Sequence, residues 1–161
     1  IGESFKLVSD RLEAVHKGLG EMQSLAADVG GLKKVLTNVS TRGAMGEIQA
    51  EGETIVDAFC GIGYYTLQFL VHGKAKQVHA CEINTHSIIA LEKGLARNGV
   101  SERCTIHAGD NRVSMKGLRG VADRVILGLI PSSMNSWASA IRCLKDSGGI
   151  ILDQLKKLGW R

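Results

Sequence analysis

Six residues at three places in the sequence have the types and the spacing to hold an adenosine. Asp57 is followed by Gly61 and Gly63 within Val56-Asp57-Ala58-Phe59-Cys60-Gly61-Ile62-Gly63. Two glycines two apart after an apolar run let a ligand touch bare backbone where a strand gives way to a helix. Glu82 lies nineteen residues beyond Gly63, at the expected end of the next strand, where a carboxylate accepts hydrogen bonds from both ribose hydroxyls. Asp110 and Asn111 follow Gly109 at the expected end of a third strand, where a carboxylate or amide meets the edge of an adenine.

Which adenosine ligand this is depends on two further residues. A dinucleotide turn wants a third glycine three positions after the second, where the helix packs close to the pyrophosphate. Thr66 stands there. Asp57, inside the first turn, suits a cation better than a pyrophosphate. S-adenosylmethionine (SAM) carries a sulfonium and an ammonium, so the residues favour SAM over NAD as the cofactor. Displacement at a carbon attached to sulfonium needs no general base, and no catalytic side chain is assigned. His72, His79, His86 and His107 show no metal spacing, and the two expected in strands read as core or satisfied polar residues. The cysteines, Cys60, Cys81, Cys104 and Cys143, stand singly, which excludes a Cys-x-x-Cys zinc or redox motif and reads as reduced thiols in a cytoplasmic protein.

The elements that must position these residues alternate. Strands are expected at Ile55–Ala58, Gln77–Cys81, Cys104–His107, Arg124–Leu129 and Gly149–Leu152. Helices are expected over Tyr64–His72, over Ser87–Asn98, and over Ser133–Leu144 behind a serine cap. Strands separated by helical crossovers imply an α/β fold with a doubly wound, mainly parallel sheet, whose ligand crevice opens at the C-terminal strand ends. That α/β domain spans residues 54–161, behind a short acidic connector at 47–53.

Residues 1–46 have another texture. Phe5, Val8, Leu12, Val15, Leu19, Met22, Ala26 and Val29 are spaced alternately three and four apart, a coiled-coil seam. One long helix over 1–36 is expected, with self-association through residues 5–29. Gly18 and Gly20 inside it cost about 1 kcal/mol each relative to Ala. Residues 1–54 carry six Lys/Arg against eight Asp/Glu, whereas residues 55–161 carry fourteen against eight. The second part is therefore the one suited to a polyanion. No apolar run approaches the ~20 residues of a membrane helix.

Two resemblances add to this reading. Val8–Glu13, Gly20–Gln23, Gly31–Thr37 and Thr41–Gln49 resemble the end of the coiled coil in the RmuC family of DNA-recombination proteins. What it implies is a helical segment without nuclease activity, because the carboxylate and lysine cluster of a metal-dependent nuclease has no counterpart downstream. The second resemblance runs from about Gly52 to Gly149. It rests on Val56-Asp57, Gly61–Leu67, Leu70–His72, Val78–Glu82, Asn84–His86, Asn98–Val100, Gly109–Arg112, Ala122–Val125 and Leu127–Ser133. These are similar to the tRNA wybutosine-synthesising aminocarboxypropyltransferases, relatives of the guanine-37 N1 methyltransferases. The most discriminating piece is Gly128-Leu129-Ile130-Pro131-Ser132-Ser133.

This second resemblance implies a class I SAM-dependent, Rossmann-like fold. It also implies transfer of a 3-amino-3-carboxypropyl group to a wybutosine precursor beside the anticodon of phenylalanine tRNA. Carried over by position, Gly61 and Gly63 approach the cofactor, Glu82 holds its ribose, and Asp110 and Asn111 meet its adenine. Leu129, Ile130, Pro131, Ser132 and Ser133 border the target base. The family reads Asn-Pro where this chain has Asn84-Thr85, which loosens that turn. The chain also stops where a last pair of strands is expected, so the sheet is expected to be truncated at its C-terminal end. Two alternatives stay open: a SAM-dependent tRNA guanine-N1 methyltransferase, and a non-catalytic coiled-coil interaction fragment.

Overall fold

The computed structural model describes residues 35–37, 48–129 and 133–153. Its strands in chain order are β1 (Val35–Thr37), β2 (Thr54–Asp57), β3 (Gln77–Glu82), β4 (Cys104–Ala108), β5 (Arg124–Leu127) and β6 (Gly149–Asp153). Its helices are α1 (Tyr64–Val71), α2 (Thr85–Arg97), α3 (Asn111–Ser114) and α4 (Trp137–Cys143). The strands form one sheet in the order β1-β6-β5-β2-β3-β4, and every neighbouring pair is parallel. The doubly wound α/β expectation is met, and the order reverses at β2, where β5 lies on one side and β3 on the other. A crevice at that reversal is the ligand site of such sheets.

Both faces of the sheet are covered, and the burial of its strands follows from that. On one face Ile55, Val78 and Ala80 pack with Phe69 and Leu70 of α1 and Leu91 and Leu95 of α2. On the other, Val56, Val125, Leu127 and Ile151 pack with Met115, Leu118, Trp137, Ile141 and Leu144. Asn84 caps α2, its side chain accepting from the amides of His86 at 2.9 Å and Ser87 at 3.3 Å. The cap closes the turn at Asn84-Thr85.

At the opposite end of the strands, the buried Arg124 guanidinium pairs with Glu53 at 2.9 Å and lies 5.5 Å over the Phe69 ring.

Two expectations are corrected. The helix drawn over residues 1–36 does not run through Val35 and Leu36, which belong to β1 and pair with Gly149 and Ile150 of β6. The edge of β6 presents a row of backbone groups that an extended segment satisfies and a helix cannot. The rest of the expected helix, its coiled-coil seam included, lies outside the described residues. The second correction concerns Ser133, whose hydroxyl makes no capping bond. A 3-10 turn at Met134–Ser136 comes first, and α4 begins only at Trp137. The short α3, followed by a 3-10 turn at Met115–Leu118, was not anticipated. Among the described residues no helix is long and apolar enough to cross a membrane.

Candidate functional site

The crevice at the C-terminal ends of β2, β3 and β4 has a volume of about 260 Å³. Ala58 and Phe59 form its floor, Glu82 and Ile83 one side, and Gly109, Asp110, Asn111 and Arg112 the next. Leu129, Asn135 and Ser136 close the wall beyond β5. Of the residues read from sequence, Glu82, Asp110, Asn111 and Leu129 therefore meet around one space.

Glu82 is the hinge of this arrangement. Its Oε2 accepts the Gly61 amide at 2.8 Å, while Oε1 accepts those of Ile83 at 2.9 Å and Asn84 at 2.7 Å. One carboxylate at the end of β3 thus holds both the glycine turn and the start of the next loop. Charged acceptors make such bonds stronger than neutral ones.

The two glycines of the turn have different reasons to be glycine. Gly61 has φ +55° and nothing within 4 Å of the position a Cβ would take. It offers bare backbone to open space, which is what a ligand approaching the turn requires. Gly63 has φ +101°, and a Cβ there would sit 2.6 Å from Leu91 Cδ1. Its lack of a side chain lets α1 start against α2, and it does not line the crevice wall.

Asp57 is placed behind the crevice. It is 1% exposed, its Oδ2 accepts from the Thr66 hydroxyl at 2.8 Å, and its Oδ1 is buried without a partner. Burial lifts its pKa to about 6, and the charge of Glu82 adds to the rise, while the Thr66 hydroxyl and the amides of Phe59 and Thr66 pull the other way. Thr66, the residue that told against a dinucleotide turn, is therefore the partner of the acid in that same turn.

Asp110 and Asn111 divide their tasks. Asp110 caps α3 through the Arg112 amide at 2.8 Å and pairs with the Arg112 guanidinium at 2.5 Å. Those hydrogen bonds to Arg112 hold its pKa down at about 2, so the carboxylate at the crevice is ionised at neutral pH. Asn111 is buried and spends its amide on structure, Nδ2 donating to the Ala58 carbonyl at 2.8 Å. Ser136 Oγ lies 3.4 Å from Asn111 Oδ1.

On the far wall Leu129 is 42% exposed and faces the crevice, whereas Ser133 is buried. Ile130, Pro131 and Ser132 lie outside the described residues. Sequence reasoning missed the partners of Ser133: its hydroxyl donates to Asp153 Oδ2 at 2.6 Å and lies 3.1 Å from Trp137 Nε1. The four-residue spacing of Ser133 and Trp137 was the available signal. Phe59, Ile83, Asn135 and Ser136 were also missed, since nothing in their types marks them apart from core or loop residues.

The remaining candidates sit elsewhere. His79 and His107 face each other across β3 and β4, Nδ1 to Nε2 at 3.1 Å, each with its pKa lowered by burial. Tyr64 is 76% exposed at the start of α1, and Tyr65 packs on the α1–α2 core. The four cysteines are unbridged. Among the described residues no group of three or more His, Cys, Asp or Glu is placed to hold a metal ion.

Comparison with known proteins bears on the whole arrangement. A relative from Arabidopsis thaliana, tRNA wybutosine-synthesizing protein 2/3/4, is 54% identical over 114 residues, covering 71% of this chain and 11% of that protein. The Homo sapiens homolog of tRNA wybutosine-synthesizing protein 2 is 50% identical over 115 residues, covering 71% of this chain and 25% of its own length. The chain thus spans a quarter or less of these two relatives. Among solved structures, that of M. jannaschii TYW2 in complex with AdoMet superposes with a TM-score of 0.58 at 30% identity, over 67% of this chain and 51% of that one. P. horikoshii TYW2 in complex with MeSAdo gives 0.60 at 30% identity, over 70% and 42%. The family model described as the TRM5/TYW2 methyltransferase domain matches residues 15–155, from the expected N-terminal helix through the last described strand, and the chain belongs to that family.

Proposed function

We propose that this chain is the SAM-binding part of a tRNA transferase that moves a 3-amino-3-carboxypropyl group onto a wybutosine precursor beside the anticodon of phenylalanine tRNA. The observation that carries the reading is a crevice at the reversal of the strand order lined by Glu82 and Asp110, with the Gly61 turn tied to Glu82 beside it. The relatives named for wybutosine synthesis, and the neighbour solved with AdoMet, support the same choice of substrate and cofactor.

The residues present fit the cofactor. Gly61 leaves open space over bare backbone, Glu82 supplies acceptors for a ribose diol, and Phe59, Ile83 and Leu129 give apolar walls. The carboxylates of Glu82 and Asp110, not the enclosed Asp57, face a ligand of net positive charge. Bound SAM supplies a carbon activated by sulfonium. What the chain supplies is position: the walls exclude water and hold the acceptor base in line with that carbon. Leu129 stands where the base would enter. The excess of Lys and Arg in residues 55–161 suits an RNA partner in the cytoplasm. Helix pairing through residues 5–29 is a separate part of the reading, tested by sedimentation of the chain with and without residues 1–34.

Calorimetric titration with SAM, followed by mass spectrometry of tRNA incubated with both, tests the proposal. A gain of an aminocarboxypropyl group is expected. A gain of one methyl would replace it with the guanine-N1 methyltransferase reading, and absence of SAM binding would leave the interaction-fragment reading in its place.

A further inference from the structure

Of the described residues between Leu127 and the turn at Met134, Gly128, Leu129 and Ser133, none belongs to a helix or strand, yet the wall beyond β5 must hold its shape if a base is to be presented to the cofactor. One carboxylate ties it down. Asp153, the last residue of β6, takes two donors on a single oxygen: Ser133 Oγ at 2.6 Å and Trp137 Nε1 at 2.7 Å. The Ser133 carbonyl in turn accepts the Ser136 amide at 2.8 Å. From Ser136 the contacts continue through Asn111 to the Ala58 carbonyl. Ser136, Asn111 and Ala58 all line the crevice.

We propose that Asp153 is a positioning residue: through Ser133 and Trp137 it fixes the target-facing wall of the crevice relative to the floor that carries the cofactor. Ile151 of the same strand packs in the core with Trp137, but Asp153 is the residue of β6 that reaches both Ser133 and Trp137 by hydrogen bonds. The inference rests on the transferase reading for what the wall presents, and on hydrogen-bond geometry alone for how the wall is held. Holding a carboxylate there has a cost that packing would not incur. Its second oxygen, Oδ1, is buried without a partner, and burial pushes its pKa up against the pull of Ser133 and Trp137. An apolar residue would fill the site without that penalty, but it could not accept the two donors.

The test uses Asp153→Leu and Asp153→Asn in the full chain. An asparagine oxygen can accept from both Ser133 and Trp137, whereas leucine accepts from neither. In hydrogen exchange, Asp153→Leu should speed the amides of Ser133–Ser136 by about tenfold or more while those of β3 and β4 hold their rates, and Asp153→Asn should stay near wild type. In transfer assays, Asp153→Leu should lower kcat by about tenfold or more, with the Kd for SAM and the KM for tRNA within about twofold of wild type. Asp153→Asn should recover most of that loss. Unchanged exchange at Ser133–Ser136 in Asp153→Leu overturns the proposal whatever the activity. So does a loss of SAM binding together with kcat, which would make Asp153 a general structural residue. If the wild-type chain transfers nothing but the exchange arm responds as expected, the transferase reading fails and the clamp stands.

Discussion

The backbone N–H of Gly61 donates to Oε2 of Glu82 across 2.8 Å, joining the turn after β2 to the end of β3. The same carboxylate that would hold a ribose already shapes the turn the ribose would approach. Replacing Glu82 with Ala removes the acceptor for three amides at once. SAM affinity should fall by about tenfold to a hundredfold, the equivalent of about 1.5–3 kcal/mol for bonds to a charged group. Calorimetric titration of the variant against wild type measures it, and an unchanged Kd would remove Glu82 from the site.

Gly61 and Gly63 should respond differently to alanine. Gly61→Ala meets only backbone strain at φ +55°, and should cost about 1–2 kcal/mol of stability while weakening SAM binding, since the new methyl enters the open space over the turn. Gly63→Ala adds the collision with Leu91 and should cost about 2–4 kcal/mol. Combining it with Leu91→Ala should cost less than the sum of the two single changes. Urea denaturation of the four variants gives the comparison.

The enclosed Asp57 makes stability depend on pH. Its pKa is raised from the ordinary 3.8 to about 6, so the folded state prefers the protonated acid. The resulting stabilisation is complete below about pH 4 and is lost as pH rises through about 6. At pH 7 the fold is left about 3 kcal/mol less stable than with an unshifted acid. Asp57→Asn keeps an acceptor for the Thr66 hydroxyl and removes the charge. Denaturation midpoints of wild type and variant should converge near pH 4 and separate toward pH 7, with the variant the more stable.

Asp110 behaves in the opposite sense. With its pKa held at about 2 by Arg112, its contribution is present above about pH 4 and is lost as pH falls toward 2. Arg112→Ala should return the Asp110 carboxyl toward the ordinary carboxylate range. A carbon-detected NMR titration reads this directly, and a carboxyl still titrating at about 2 would contradict the pairing.

The parallel sheet and the ends of its first three site strands were legible because each strand is short, apolar and followed by a turn residue. Glu82 and Asp110 fall at those ends by counting alone. Asp57 was legible as an acid in the turn, but not as one turned inward, because its direction depends on Thr66, nine positions away. Asn111 was read as a partner for adenine; it lines the crevice, and its bond to the Ala58 carbonyl, between segments more than fifty residues apart, was not legible. The strand at Val35–Thr37 was hidden for a related reason. A helical apolar pattern ran up to it, and only the unpaired edge of a strand at the other end of the chain favours extension there.

That pairing also orders events in time. β1 lies earliest among the described strands and β6 latest, and they are direct neighbours. During synthesis from the N-terminus, β1 must therefore wait, unpaired, until almost every other strand has been made. The outer edge of the sheet is its most non-local contact, and loop closure over such a separation is slow. The wall held by Asp153 shares that schedule, since the residue belongs to the same last strand. Chain order thus puts the strands that end at Glu82 and just before Asp110 ahead of the one that carries Asp153, so the two sides of the crevice become available to pair at different times.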